Sequence, residues 1–184
     1  MFKNEVVRLA AILFIICALV TAVLAVANGI TAPIIEDLEQ KTVAQAQQEV
    51  LPSADSFEDM NYQNGMVTSV ARAQNGSGFC VGVSSPGYGG DIKLMVGVGT
   101  DGVVQGVKII ELSETPGLGS KATEPAFIGQ FAGKSGNLEV VKGSGSEGKI
   151  SAISGATISS RAVTTGVNEA IKAVQEIMGQ GVAQ

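Results

Sequence analysis

The chain has 184 residues, a formal net charge of −5 and no histidine. Its 12 Lys and Arg residues form no basic stripe, so the composition argues against nucleic-acid binding, which needs positive charge aligned with a phosphate backbone. Without histidine the chain lacks the commonest general base and metal ligand. Its two cysteines, Cys17 and Cys80, lie far apart in the sequence. We therefore expect neither a metal site nor a structural disulfide.

The N-terminal segment contains an uncharged apolar run over residues 9–27. As a helix rising about 1.5 Å per residue, the run spans roughly 28 Å, close to the ~30 Å hydrocarbon thickness of a bilayer. Lys3 and Arg8 precede the run, and the first charges after it are acidic. The positive-inside rule then predicts a transmembrane anchor over residues 1–30, with the N-terminus in the cytoplasm and the rest of the chain on the extracytoplasmic side of the cell membrane.

A cleaved signal peptide is the alternative interpretation of the same run. Residues 25–27, Ala-Val-Ala, have the small side chains of a cleavage site. However, the apolar core of a signal peptide is shorter, about 7–15 residues. This length favours an uncleaved anchor, and both interpretations export the remainder of the chain.

A second helix is predicted after the anchor. Apolar residues recur near a 3.6-residue period over residues 34–50, with Pro33 suited to the first turn and Pro52 marking the end. Residues 31–52 are therefore interpreted as a connecting helix. This helix either continues the membrane helix or packs on the domain formed by residues 53–184.

That domain begins with segments whose apolar residues alternate, as in half-buried strands. A turn at residues 100–102, Thr-Asp-Gly, joins the last two segments, which we interpret as the central hairpin of a twisted antiparallel sheet. The predicted strands span residues 66–73, 78–84, 92–99 and 103–110.

The C-terminal part is predicted to be mostly helical. A short helix is expected over residues 124–132, a short strand over 138–142 and an amphipathic helix over 162–178. The fold class is therefore α+β, with helices packed on one side of the sheet. The apolar face of the last helix carries Val163, Val167, Ile171, Val174 and Met178.

Residues 150–161 form a small-residue turn that leads into the last helix. Ser159 or Ser160 is suited to be its N-cap. Helix N-termini favour anions, and Arg161 adds a full positive charge, so a group on the Thr157 hydroxyl would meet an anion-binding environment. Composition alone still favours the simpler interpretation of an ordinary loop-to-helix junction.

The sequence Ser154-Gly155-Ala156-Thr157, followed by Ser159 and Ser160, resembles the flavinylation motif of FMN-binding domain proteins. In that family a flavin transferase moves FMN from FAD onto the threonine that closes the motif. The resemblance therefore implies an FMN held by a phosphoester at Thr157. Many copies of the motif have an aspartate where this chain has Ser151.

Two further segments resemble the same family. Residues 114–119, Glu-Thr-Pro-Gly-Leu-Gly, match a signature of the G subunit of Rnf-type electron transport complexes, and are similar to the C subunit of the sodium-translocating NADH:quinone reductase. Residues 87–92, Gly-Tyr-Gly-Gly-Asp-Ile, resemble the family's glycine-rich loop. The short length of the chain favours the G subunit, because the C subunit usually has longer insertions.

The resemblance also implies roles for individual residues. Tyr88 either stacks on the flavin ring or packs beside its own loop, and Thr115 is a potential hydrogen-bond donor to the flavin. Lys121 is either a charge partner of the cofactor or a solvated surface residue. From composition alone, residues 114–119 are a tight turn. The residues implied to contact the cofactor are Tyr88, Glu114, Thr115, Pro116, Gly117, Leu118, Gly119, Lys121, Ser154, Gly155, Ala156, Thr157, Ser159, Ser160 and Arg161.

The implied function is electron transfer by an anchored flavoprotein subunit of an ion-translocating ferredoxin:NAD oxidoreductase. Its implied partners are the other membrane subunits, including a second flavin-carrying subunit, together with iron–sulfur subunits and the maturing transferase. No residue pattern for acid–base catalysis on a metabolite is evident, which favours a relay over a free-standing enzyme. The alternatives are a component like the C subunit of the quinone reductase, a lone extracytoplasmic FMN-domain sensor, and a non-redox binding module.

Overall fold

The computed structural model describes residues 2–143 and 148–181. The chain divides into two compact units, Met1–Thr42 and Val43–Gln184. The first unit is purely helical, and the second contains a sheet with helices packed on it. The fold class predicted from the sequence is thus confirmed.

Helix α1 runs from Phe2 to Val50 without interruption. Pro33 lies inside it, so the expected place of Pro33 in a first helical turn is wrong, while residues 34–50 continue the N-terminal helix, as one of the two alternatives had it. A proline in a helix removes one backbone N–H donor, and here this single loss does not end the helix. The segment from Glu5 onward is long and apolar enough to cross a membrane, with a mean hydropathy of 3.0 in its most apolar window. The side chains of residues 5–42 are all exposed.

The second unit contains a five-stranded antiparallel sheet in the order β1-β2-β3-β4-β5. Four strands were predicted, whereas β1 was missed because its sequence Phe-Glu-Asp-Met lacks a clear apolar alternation. The β4–β5 hairpin lies at one edge of the sheet, so its predicted central position is wrong. The strands span Phe57–Met60, Val67–Ala73, Gly78–Pro86, Asp91–Gly99 and Val104–Glu111.

The β5 edge is protected at its beginning. The Val104 N–H donates to the Lys134 carbonyl, and the Gly133 N–H donates to the Val104 carbonyl, each at 2.8 Å. These bonds pair the backbone of the edge strand with a loop, which reduces its tendency to pair with another chain. The chain leaves the sheet after β5 and enters the helical layer.

One face of the sheet is covered by helix α3, Thr157–Gly181. Its side chains at 163, 167, 171 and 174 are buried against the sheet as predicted, while Met178 is 37% exposed. A 3₁₀ turn at Gly119–Thr123 and helix α2, Pro125–Ile128, replace the longer helix predicted at 124–132. The strand predicted at 138–142 is β6, Glu139–Val141, which pairs in parallel with the unpredicted β7, Lys149–Ser151.

The other face is covered by the last turns of α1 and the chain that follows. Ala46, Val50, Leu51 and Ala54 are buried there in one cluster with Ala71, Ala73, Cys80 and Met95. Helices therefore pack on both faces, and the expectation of one covered face is wrong. The sequence left open whether residues 34–50 continue the membrane helix or pack on the domain. The helix is continuous, and its last turns pack on the sheet.

Two glycines form the seat of Val50 on the sheet. Gly97 and Gly106 are direct cross-strand partners in β4 and β5. A Cβ atom added at Gly97 would lie 2.2 Å from the Val50 carbonyl oxygen, and one added at Gly106 would lie 3.0 Å from the Val50 Cα. Only glycine lets the helix backbone approach the sheet this closely.

Replacing Gly97 with alanine should destabilise the domain. The added methyl group meets backbone atoms, so the helix end must shift, at an expected cost of about 1–3 kcal/mol in the free energy of unfolding. Gly179→Ala is the matched control, because a Cβ there meets nothing within 4 Å and alanine favours a helix by about 0.5–1 kcal/mol. Thermal unfolding of the full chain in detergent checks both. Equal melting temperatures for the two variants would contradict the close contact between the Val50 backbone and Gly97.

Cys80 should make stability depend on pH in the alkaline range. Burial raises the pKa of the Cys80 thiol from 9.0 to about 12. Above pH 9 the unfolded chain loses the thiol proton first, so this contribution to stability falls between about pH 9 and pH 12. The difference in unfolding free energy between the wild type and Cys80→Ala should therefore shrink across that range. If denaturant titrations give the same difference in unfolding free energy across this pH range, the buried thiol does not contribute to the pH dependence of stability.

Candidate functional site

Three segments distant in sequence surround a cavity of about 600 Å³ in the second unit. They are the loop between β3 and β4, the loop after β5, and the turn that begins α3. The volume falls in the range of about 300–1,000 Å³ that is typical of small-molecule sites. The lining residues are Tyr88, Glu114, Thr115, Leu118, Gly119, Gly155, Ala156, Thr157, Ile158 and Ser159.

The Glu114 carboxylate joins two of these segments. Its Oε1 atom accepts a hydrogen bond of 2.6 Å from the Tyr88 N–H. A Cβ atom added at Gly87 would lie 2.3 Å from Oε1, and one added at Gly119 would lie 2.5 Å from Oε2. The carboxylate therefore occupies space that two glycines leave open. This contact joins the two glycine-containing motifs in the structure.

The turn before α3 is fixed by Ser160. Its hydroxyl accepts a hydrogen bond of 3.0 Å from the Ile153 N–H and donates one of 2.9 Å to the Ala156 carbonyl. Gly155 has a φ of +78°, a conformation that side chains disfavour. Because α3 begins at Thr157, Ser159 and Ser160 lie in its first turn, and the predicted N-cap role of either serine is wrong.

Two hydroxyl groups at the start of α3 have no hydrogen bond within the described residues, those of Thr157 and Ser159. Thr157 is half-buried, and Ser159 is only 2% exposed. The Ser159 Oγ faces Gly119, where an added Cβ would lie 2.7 Å away. The first N–H groups of a helix also lack intrahelical partners, and the helix dipole is positive there. This wall of the cavity is therefore suited to bind an anion.

Nine of the residues implied by the resemblance line the cavity, and the others lie outside its lining. Ser160 is buried behind the turn, and the Gly117 N–H donates to Ser120 Oγ at 2.8 Å. Lys121 lines a separate depression, and Arg161 lines a groove that also contains Glu139. Among the described residues, Glu114 is thus the one charged side chain in the lining. The remaining residues outside the lining are Pro116 and Ser154.

Ile158 lines the cavity but was missed by the sequence analysis. It is 53% exposed, and the other large exposed side chains of the lining are Tyr88 at 70% and Leu118 at 44%. Together they give the cavity an apolar mouth. The available signal was an apolar residue at a helix position outside the stripe that faces the sheet.

Part of the chain matches a known domain family, and nearly the whole chain matches named proteins. Residues 87–172 match the FMN-binding domain family. The chain is 38% identical to the G subunit of the Na(+)-translocating ferredoxin:NAD(+) oxidoreductase complex of Acetobacterium woodii, over 94% of this chain and 93% of that protein. It is 34% identical to the G subunit of the proton-translocating ferredoxin:NAD(+) oxidoreductase complex of Clostridium ljungdahlii, over 96% of each chain.

The fold also matches a solved structure. The crystal structure of Shewanella oneidensis NqrC aligns with a TM-score of 0.56 and 24% sequence identity, over 68% of this chain and 70% of that one. At this identity the likeness concerns the fold. The two G-subunit relatives, which match along nearly the whole length, show that the chain belongs to the family of G subunits of ion-translocating ferredoxin:NAD(+) oxidoreductase complexes and carries an FMN-binding domain.

Proposed function

We propose that this protein is an anchored electron-transfer subunit that carries FMN as a phosphoester on Thr157. The observation that carries the proposal is the Thr157 hydroxyl. It lies on the wall of the cavity at the start of α3 and makes no hydrogen bond within the described residues. A hydroxyl in this position is available for modification, and a group attached to it would have the cavity beside it.

The residues of the cavity fit a flavin mononucleotide. The N–H groups at the start of α3 and the Ser159 hydroxyl would hold the phosphate. The apolar mouth formed by Tyr88, Leu118 and Ile158 would contact the ring. When bound, FMN supplies redox chemistry for one or two electrons. The chain supplies the binding surface, and the Glu114 carboxylate keeps the Tyr88 loop in place.

Attachment would proceed by phosphoryl transfer from FAD. The Thr157 oxygen would form a bond to the phosphorus of the FMN half as the pyrophosphate P–O bond breaks, AMP would leave, and the hydroxyl proton would pass to a base. No described residue forms a hydrogen bond with the Thr157 hydroxyl. We propose that the flavin transferase supplies this base.

Ser151, which replaces the aspartate of many motif copies, is held firmly. Its N–H donates to Gln130 Oε1 at 2.7 Å, Gln130 Nε2 donates to its carbonyl at 3.3 Å, and its hydroxyl donates to the Gly143 carbonyl. These contacts fix the strand β7 that leads into the motif. Ser151 thus holds in place the end of β7, the strand that precedes the motif containing Thr157.

The proposed setting is a multi-subunit membrane complex. The relatives are named as G subunits of ion-translocating oxidoreductases, and α1 provides an anchor. Lys3 and Arg8 favour a cytoplasmic N-terminus and an extracytoplasmic flavin domain. The electron partners are a second flavin-carrying subunit, iron–sulfur subunits and the other membrane subunits. A covalent link prevents loss of the cofactor into the external volume.

Thr157→Val should abolish covalent flavin while leaving the fold intact, because valine has nearly the same shape but no hydroxyl. Protein purified from its native host is denatured, tested for in-gel fluorescence and digested for mass spectrometry. The wild-type peptide containing Thr157 should carry the mass of FMN less one water. Thr165→Val is the matched control, since Thr165 is exposed on the same helix. Covalent flavin retained by Thr157→Val would refute the attachment site.

Glu114→Ala should loosen the loop at residues 87–90, because the Tyr88 N–H loses its acceptor. A hydrogen bond to a charged group is worth about 1.5–3 kcal/mol, so hydrogen exchange of this loop should accelerate by tenfold or more. Glu114→Gln retains a side-chain oxygen and should exchange more slowly than Glu114→Ala. Unchanged exchange at Tyr88 in the alanine variant would show that the carboxylate does not hold the loop.

A further inference from the structure

The charge of the cavity wall is unusual for a site that would bind a phosphate. Among the described residues, its lining contains the Glu114 carboxylate and no Lys or Arg side chain. Lys121 and Arg161 line other surfaces. The positive component is the start of α3, which is equivalent to roughly half an elementary charge. The wall thus combines roughly half a positive charge with one full negative charge.

The hydrogen-bonding capacity of the wall nevertheless points to a phosphate. Ser159 is almost completely buried and lines the cavity, and its hydroxyl has no hydrogen-bond partner within the described residues. It lies in the first turn of α3, where the N–H groups before that of Ser160 have no intrahelical acceptor. These donors favour an oxygen-rich group, while Glu114 limits the negative charge that such a group can carry.

We propose that the cavity selects a phosphate with one negative charge over a phosphate with two. A phosphodiester has a single negative charge, whereas the monoester of free FMN carries about −1.5 to −2 at neutral pH. Attachment to Thr157 converts the monoester into a diester and so removes the charge that the wall opposes. This selection rests on the proposed function for the identity of the ligand, and it means that the unmodified chain holds free FMN poorly.

The test uses the full-length chain without covalent flavin, purified in detergent from a host that lacks the transferase and checked by intact mass. Riboflavin, FMN and the methyl ester of FMN present zero, two and one negative charges at about pH 8. Their dissociation constants are measured by flavin fluorescence. The methyl ester should bind more tightly than riboflavin, and about tenfold more tightly than FMN, as expected for one extra charge near a carboxylate.

Two variants test the cause of the preference. Glu114→Gln removes the negative charge, and Ile158→Lys adds a positive charge at the mouth. Each should lower the ratio of the FMN and methyl ester dissociation constants toward one. A substitution that merely distorted the cavity would weaken the binding of both FMN and its methyl ester, and the ratio of their dissociation constants would stay the same. Glu58→Gln is the control, because Glu58 is an exposed residue of strand β1, and it should retain the wild-type ratio.

Several outcomes would overturn the selection. The proposal fails if FMN or riboflavin binds as tightly as the methyl ester, or if none of the three binds. It also fails if neither variant changes the ratio of the FMN and methyl ester dissociation constants. Attachment of flavin at a residue other than Thr157 would instead appear in the host-purified protein, so the two failures are distinguishable.

Discussion

The contact between the Glu114 carboxylate and the Tyr88 backbone is the interaction on which the cavity depends. It joins the loop after β5 to the loop between β3 and β4, and it does so in space left open at Gly87 and Gly119. The same carboxylate is the charged group of the described lining. One side chain therefore determines both the shape of the cavity and its electrostatic character.

The sheet supports this arrangement by being covered on both faces. Helix α3 packs on one face and brings its first turn to the cavity, while the last turns of α1 pack on the other. Since β3 and β4 are buried between these layers, the loop that joins them has a fixed base.

Much of the fold could be predicted from the sequence, because four strands and the last helix have clear periodic patterns. The strand β1 was missed since two acidic residues obscure its alternation, and the short pair β6–β7 lacks the length needed for a pattern. The start of α3 was placed too late because small residues and serines resemble a cap. Its true start at Thr157 changes the role of Ser160 from a cap to a support of the preceding turn.

The sequence indicates only some residues of the cavity lining, because the rest of the lining depends on tertiary contacts. Glycine-rich motifs indicate where a chain turns, but they do not reveal which side chain fills the space that the glycines leave. The hydrogen bond from Tyr88 to Glu114 depends on tertiary structure, as does the placement of Arg161 and Lys121 outside the cavity lining. Ile158 was overlooked because an exposed apolar residue on a helix has no meaning until the cavity beside it is known.

The seat of Val50 on Gly97 and Gly106 also constrains how this part of the chain can vary. The contact is made by backbone atoms, so the identity of the side chains on the outer surface of α1 matters little to it. Inserting or deleting one residue just before Val50 would rotate the preceding turns by about 100°, so Ala46 would no longer face the cluster that it shares with Val50. In this segment, natural variation should therefore appear as substitutions, while its length stays constant.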